Sequence, residues 1–140
     1  MGEDAFATVV RALARSDLSA AELDRRLARS GFDAGVRQEA LDRARASGYL
    51  DDSRVARERA RRLADRGSSD TAIRLDLHRR GLPTRVVESV LDDLPPESER
   101  AERLAEKLGG GPRAARALAR KGYPEDVVER TIRLHIANEP

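Results

Sequence analysis

Residues 23–41 read LDRRLARSGFDAGVRQEAL, and the pattern returns at residues 73–91 as IRLDLHRRGLPTRVVESVL and at 114–132 as AARALARKGYPEDVVERTI. Leu23, Leu27, Gly31, Phe32, Val36 and Leu41 correspond to Ile73, Leu77, Gly81, Leu82, Val86 and Leu91, and then to Ala114, Leu118, Gly122, Tyr123, Val127 and Ile132. Apolar residues four apart lie on one face of a helix. A glycine just past them stands where a left-handed residue ends a helix. The unit is therefore a helix, a glycine turn, a bulky apolar residue and a second helix, and its recurrence at every one of these positions marks an internal repeat. Pro83 and Pro124 also share the register position of Asp33.

Outward from these pairs, the spacing predicts one more helix before each. Phe6, Val9, Val10 and Leu13 stripe the first helix, and Ser16–Ser19 breaks it. Ser19 with Glu22 forms a capping box that opens the second. Asp33 opens the third, with Val36, Ala40, Leu41 and Ala44 inward, and Gly48 closes it. The fourth runs from Asp51 to Arg66. Ser69 caps the fifth, and Pro83 starts the sixth, with Val86, Val87, Val90 and Leu91 inward. Pro95 and Pro96 punctuate the chain before a seventh helix over 97–108. Gly109, Gly110 and Gly111 form a loop, Pro112 opens the eighth, and Pro124 opens a ninth that runs to about His135. No strand-like alternation is sustained. The expected fold is all-α, with three tandem three-helix repeats (residues 1–49, 50–94 and 95–140) forming an elongated, curved stack, because a two-helix unit cannot bury its own apolar stripe.

Composition agrees with thin helical layers. Aromatic residues make up 3% of the 140 positions, there is no Trp, and charged residues reach 37%. Burial must then rest on Leu, Val, Ile and Ala. The absence of Cys removes disulfides, thiolate nucleophiles and thiolate metal sites, and fits a reducing compartment. No apolar run approaches the roughly 18 residues of a membrane span. The Met1–Phe6 start lacks the basic and apolar regions of a signal peptide, so a cytoplasmic location is expected.

No catalytic set, metal site or cofactor is expected either. The Gly109–Pro112 run lacks the Lys and Ser or Thr of a phosphate loop and follows no strand. Asp51 and Asp52 read as helix-start acids. His78 and His135 have no partner histidine at helical spacing. A hydrolase built on acids such as Asp92 and Asp93 has no other support, so the sequence reads as a protein that binds a partner.

The cations are informative. The whole chain is only +2, yet residues 11–85 hold 18 arginines against 12 carboxylates. With Leu23 inward and about 100° per residue, Arg25 and Arg29 point outward. Their equivalents are Leu75 and Arg79, then Arg116 and Arg120. Arg29, Arg79 and Arg120 also suit a helix's last turn, where a cation complements the dipole. The fourth helix adds Arg54, Arg57, Arg59, Arg61, Arg62 and Arg66 against Glu58 and Asp65. The candidate partner-binding residues are Arg25, Arg26, Arg29, Arg54, Arg57, Arg61, Arg74, Arg79 and Arg80, facing an anionic partner. Without interleaved exposed aromatics, any nucleic-acid contact is expected at the phosphate backbone, single- or double-stranded.

The stretch Gly48, Tyr49, Leu50, Asp51, Asp52, Ser53, Arg54 lies between Arg29-Ser30-Gly31-Phe32 and Arg79-Arg80-Gly81-Leu82. This arrangement resembles the RecX family of recombinase regulators from about Arg11 to Ile136, and Glu22, Leu23, Arg25, Leu27 and Gly31 also follow the family pattern. The resemblance implies tandem three-helix repeats and a modulator that lies in the groove of the RecA filament on single-stranded DNA; the protein itself is expected to be a monomer. The resemblance also implies inhibition or modulation of filament growth, ATP hydrolysis and strand exchange, hence a place in homologous recombination, DNA repair and the SOS response. Gly48, Tyr49, Leu50, Asp51 and Asp52 enter mainly as structural residues. Val55 and Arg59 depart from the family's bulky residues in the fourth helix, and Ser68, Ser69 and Asp70 from its glycine and proline before the fifth. Ala114 and Ala117 are smaller than usual in the eighth. The alternative to a recombinase regulator is a nonspecific DNA-binding or architectural module.

Overall fold

A computed structural model describes residues 2–137, with side chains described from Asp4 onward. The described residues form nine α-helices and no strand: α1 (Gly2–Arg15), α2 (Ala20–Arg29), α3 (Ala34–Ala46), α4 (Asp52–Asp65), α5 (Asp70–Arg79), α6 (Thr84–Asp92), α7 (Glu97–Lys107), α8 (Gly111–Arg120) and α9 (Glu125–Ala137). All nine expected helices are present. Gly111 departs from the expected glycine loop by starting α8. The chain divides into two compact units, one of Met1–Glu58 with Leu77–Val87 and one of Arg59–Asp76 with Glu88–Pro140. The division passes through α4, α5 and α6.

In the first unit, α1, α2 and α3 close over Val9, Leu23, Leu27, Leu41 and Leu50, all buried. Leu23 and Leu27 are each 1% exposed, and burying a leucine fully is worth about 1.5–3 kcal/mol. The α1 stripe is rotated from its expected position. Ala5, Val9 and Ala12 are buried, while Phe6 and Leu13 pack at the margin. Small side chains sit where α1 approaches its neighbours, and alanine contributes too little apolar surface to mark that face in sequence. The capping box at α2 is present, with the Glu22 amide donating to Ser19 Oγ at 3.1 Å and the Ser19 amide donating to Glu22 Oε1 at 3.0 Å. Asp33 Oδ1 accepts from the Val36 amide at 3.0 Å and so starts α3.

The glycine turn at Gly81, within the Leu77–Val87 part of the same unit, packs against the start of α2. Ser19, fully buried, donates its hydroxyl proton to the Arg80 carbonyl. Asp52 Oδ1 accepts from the Ala20 amide at 2.8 Å, tying the start of α4 to the start of α2. Gly81 has φ +77, and a Cβ there would lie 2.5 Å from that of Ala21, so both the turn and the contact require glycine.

The second unit repeats the arrangement. Ser69, also fully buried, accepts from the Ala72 amide at 3.1 Å and caps α5, and its own amide donates to the Lys121 carbonyl at 3.1 Å. Glu97 Oε1, on the first residue of α7, accepts from the Asp70 amide at 3.1 Å. A Cβ on Gly122, whose φ is +93, would lie 2.6 Å from Ser69 Oγ and 3.2 Å from Ala72 Cβ. Ala101, Leu118 and Tyr123 form the core with Leu104, Val127, Val128 and Ile132 around it.

The equivalent ties made by Asp52 and Glu97 fix how the sequence of α4 corresponds to that of α7. This correspondence aligns Ala56 with Ala101 and Ala60 with Ala105, all 0% exposed. It also aligns Val55, 3% exposed, with Arg100, 5% exposed. Arg100 donates from Nη1 to the Pro95 carbonyl at 2.7 Å and from Nη2 to Asp70 and, at 3.5 Å, to the Ser68 carbonyl. Its Nε is buried without an acceptor among the described residues. The Tyr123 hydroxyl also reaches the Ser68 carbonyl, at 3.5 Å. Burial raises the Tyr123 pKa above the ordinary tyrosine value, and the nearby Arg100 charge opposes that rise.

Candidate interaction surface

The outward face of α2 follows from the inward one. With Leu23 and Leu27 fixed in the core, Arg25, Arg26 and Arg29 are exposed. Together with Leu18 and Glu22 they line a shallow depression. Glu22 is engaged elsewhere, by the Ser19 amide and by the Arg80 guanidinium at 3.6 Å. Asp24 is held by Arg37 at 2.9 Å. No ion pair to a described residue neutralises Arg25, Arg26 or Arg29.

The other candidates divide by environment. Arg54 donates to the Tyr49 carbonyl at 3.3 Å, while Arg57 and Arg61 are exposed on α4, one turn apart. Arg59 leaves that basic set by pairing with Asp76 through two hydrogen bonds of 3.0 Å. Arg74 pairs with Glu88 at 2.8 and 3.0 Å. That hydrogen-bonded carboxylate raises the Arg74 pKa above its ordinary value, with burial acting against it. Arg79 is exposed, and Arg80 is half-buried beside Glu22. The structure thus brings Arg25, Arg26 and Arg29 together and commits Arg74 and Arg80 to ion pairs.

The Gly48–Asp52 motif builds the corner between α3 and α4. Gly48 takes φ +79, and the Tyr49 amide returns to the Ala44 carbonyl at 2.9 Å. Leu50 is buried. Asp51 Oδ1 accepts from the Arg54 amide at 3.1 Å and caps α4. Asp52 instead holds α2, a role that helix-start acids in sequence do not reveal because its partner is 32 positions away. Tyr49 is 48% exposed. Its ring meets Phe6 edge-on at 6.2 Å, and Arg43 stacks 4.0 Å over the Phe6 ring. That stacked cluster and the buried Arg100 are absent from the sequence reading. Arg11 and Arg15 are also missing from its candidate set, although both lie beside Arg26 at the edge of a second depression.

Among the described residues, no three His, Asp or Glu side chains converge as metal ligands, and no helix is long and apolar enough to cross a membrane. Fold and surface together define a helical-repeat protein whose most distinctive exposed groups are arginines.

Comparison with known proteins narrows this class. Residues 5–43, spanning most of α1, all of α2 and most of α3, match the family model of the RecX first three-helix domain. The regulatory protein RecX of Syntrophotalea carbinolica is 44% identical over 64 residues, covering 46% of this chain and 42% of that protein. A Thermus thermophilus protein of the same name is 42% identical over 94 residues, covering 64% of this chain and 62% of that one. The crystal structure of RecX from Lactobacillus salivarius superposes with a TM-score of 0.81 at 16% identity, covering 97% of each chain. A second RecX crystal structure gives 0.75 at 19% identity, covering 93% of this chain and 70% of that one. These two establish the shared fold. Over these stretches the chain is similar to RecX proteins, and it spans about half the length of the curated relatives it matches.

Proposed function

We propose that this protein regulates a RecA-type recombinase by binding its filament on single-stranded DNA and restraining filament growth, ATP hydrolysis and strand exchange. It acts by contact, not catalysis, as a cytoplasmic monomer. The observation that carries the reading is the RecX three-helix domain at residues 5–43, whose α2 presents Arg25, Arg26 and Arg29 without ion-pair partners among the described residues. Three tandem repeats with boundaries at 1–49, 50–94 and 95–140 supply the scaffold in this reading, supported by the equivalent ties at Ala20 and Asp70.

The test adds the purified protein to the cognate recombinase on single-stranded DNA. DNA-dependent ATP hydrolysis and mean filament length should both fall with added protein. If neither changes, the reading is wrong. Within it, the triple substitution Arg25→Glu, Arg29→Glu and Arg79→Glu should weaken filament binding at least tenfold, about 1.4 kcal/mol, while helicity and melting temperature stay near normal. Unchanged binding would place the contact on another face.

A further inference from the structure

We infer that Arg11, Arg15, Arg25, Arg26 and Arg29 form a bay on the α1–α2 face that grips the sugar-phosphate backbone of nucleic acid directly, without a recombinase. This deepens the reading above by naming a partner for the same arginine face, and it rests on that reading only through Arg25, Arg26 and Arg29.

The bay consists of two depressions. One is lined by Leu18, Glu22, Arg25, Arg26 and Arg29. The other is lined by Thr8, Arg11, Ala12, Arg15 and Arg26. Arg26 lines both. No ion pair joins any of the five arginines to a described residue; the one side-chain hydrogen bond among them is Arg11 Nη2 to Thr8 Oγ1 at 3.4 Å. The lining carboxylate, Glu22, is already held by the Ser19 amide and faces Arg80. Asp24 is held by Arg37, and Asp17, in the link between α1 and α2, is not a lining residue of either depression.

Part of this charge answers the two helix C-termini, where Arg15, Arg26 and Arg29 occupy last turns. Each terminus carries only about half a negative charge. Five guanidinium groups therefore leave a local excess that the protein does not balance internally, and an external polyanion does.

The form of the excess favours phosphodiesters over an acidic protein surface. Arg11 and Arg15 are one turn apart on α1, and Arg25 and Arg29 one turn apart on α2, giving positive charge at intervals of about 6 Å. Such a periodic array suits an anion with regularly spaced charges. A protein partner usually needs a central apolar or aromatic anchor. Here Leu18 is the one large apolar lining residue, and no aromatic ring lines either depression. Contacts restricted to phosphates position a strand without reading its bases, so binding should be indifferent to sequence and steeply dependent on salt.

The test titrates the full-length protein, without recombinase, into a fluorescently labelled oligo-dT strand across a KCl series. If all five arginines touch phosphates, log affinity should fall against log salt with a slope of about −3.5 for single strands. Arg26→Gln should weaken binding several-fold at low salt and flatten the slope by about 0.7. The pairs Arg11→Gln/Arg15→Gln and Arg25→Gln/Arg29→Gln should each flatten it by about twice that. Arg116→Gln/Arg120→Gln, the positions on α8 equivalent to Arg25 and Arg29, should change neither quantity. Circular dichroism checks that folding is intact in each variant. An Arg26→Gln slope equal to wild type, or an equal loss in the α8 variant, overturns the bay. No DNA binding by wild type at low salt overturns it as well. If the bay variants then still lose inhibition of the recombinase, the face meets protein, and the regulatory reading survives without this one.

Discussion

Removing the carboxylate from Asp70 tests how the second unit tolerates a buried cation. The Arg100 side chain is 4% exposed and that of Asp70 is 32% exposed. Stripping one partner from a buried ion pair costs about 3–5 kcal/mol because the other charge stays desolvated. The partial exposure of Asp70 puts Asp70→Ala near the low end, at about 3 kcal/mol, of which up to about 1 kcal/mol is the lost favourable interaction with the start of α5. Arg100 cannot escape this cost, since its Nε already lacks an acceptor and its remaining bonds go to the Pro95 and Ser68 carbonyls. The aligned positions in the preceding repeat are Val55 and Ala20, so the fold also accepts an apolar solution there. The double variant Asp70→Ala/Arg100→Met should therefore recover most of the loss, because a well-packed apolar replacement is often neutral or better. Urea denaturation of wild type, both single variants and the double variant at pH 7 gives the coupling energy, expected at about 2 kcal/mol. If Asp70→Ala loses less than about 1 kcal/mol, or if the two losses simply add, the pair does not act as described.

Other consequences are more direct. Gly81→Ala and Gly122→Ala should each cost about 2–4 kcal/mol, combining a left-handed backbone with contacts of 2.5 and 2.6 Å. Gly31→Ala, at φ +93 with nothing within 4 Å, should cost only about 1–2 kcal/mol; denaturation midpoints rank the three. Asp52→Ala should cost about 1.5–3 kcal/mol through its charged hydrogen bond and speed hydrogen exchange at the Ala20 amide, whereas Asp51→Ala should cost about 1 kcal/mol as a lost cap. Because burial raises the Tyr123 pKa, the unfolded chain releases that proton first. Its contribution is complete below the ordinary tyrosine value of about 10 and is lost as pH rises toward the folded value. Wild type should therefore lose stability in that alkaline range faster than Tyr123→Phe, measured by urea denaturation at successive pH values.

The helical pairs were legible because large aliphatic residues and glycines mark them. Leu23, Leu27 and Gly31 need only local rules, and their equivalents follow by repetition. The first helix of each repeat was harder to read. Ala5, Ala56 and Ala101 are all 0% exposed, but alanine carries little apolar surface and occurs equally on outward faces. The ties made by Asp52 and Glu97 join residues 32 and 27 positions apart, beyond what a capping pattern can show. The candidate surface was legible as charge density, not as geometry. Counting arginines could not separate Arg59, Arg74 and Arg80, which meet carboxylates, from Arg25, Arg26 and Arg29, which do not. It also missed Arg11 and Arg15, because their place beside Arg26 depends on how α2 folds back along α1.

The repeated clasp explains why the outward positions can diverge. Each copy seats a glycine turn on a buried serine at a helix start and ties the next amide to an acid, using Ser19, Ala20, Asp52 and Gly81 in one and Ser69, Asp70, Glu97 and Gly122 in the other. These contacts are made by backbone groups and short side chains. They place strict demands on those few residues and none on the middle of the helix's outer face. Position 25 is accordingly Arg in the first copy, Leu75 at 51% exposure in the second and Arg116 in the third. Selection on a partner can therefore act on that face repeat by repeat without disturbing the clasp. An exposed leucine interrupting the arginine series is what separate contact surfaces on one scaffold produce.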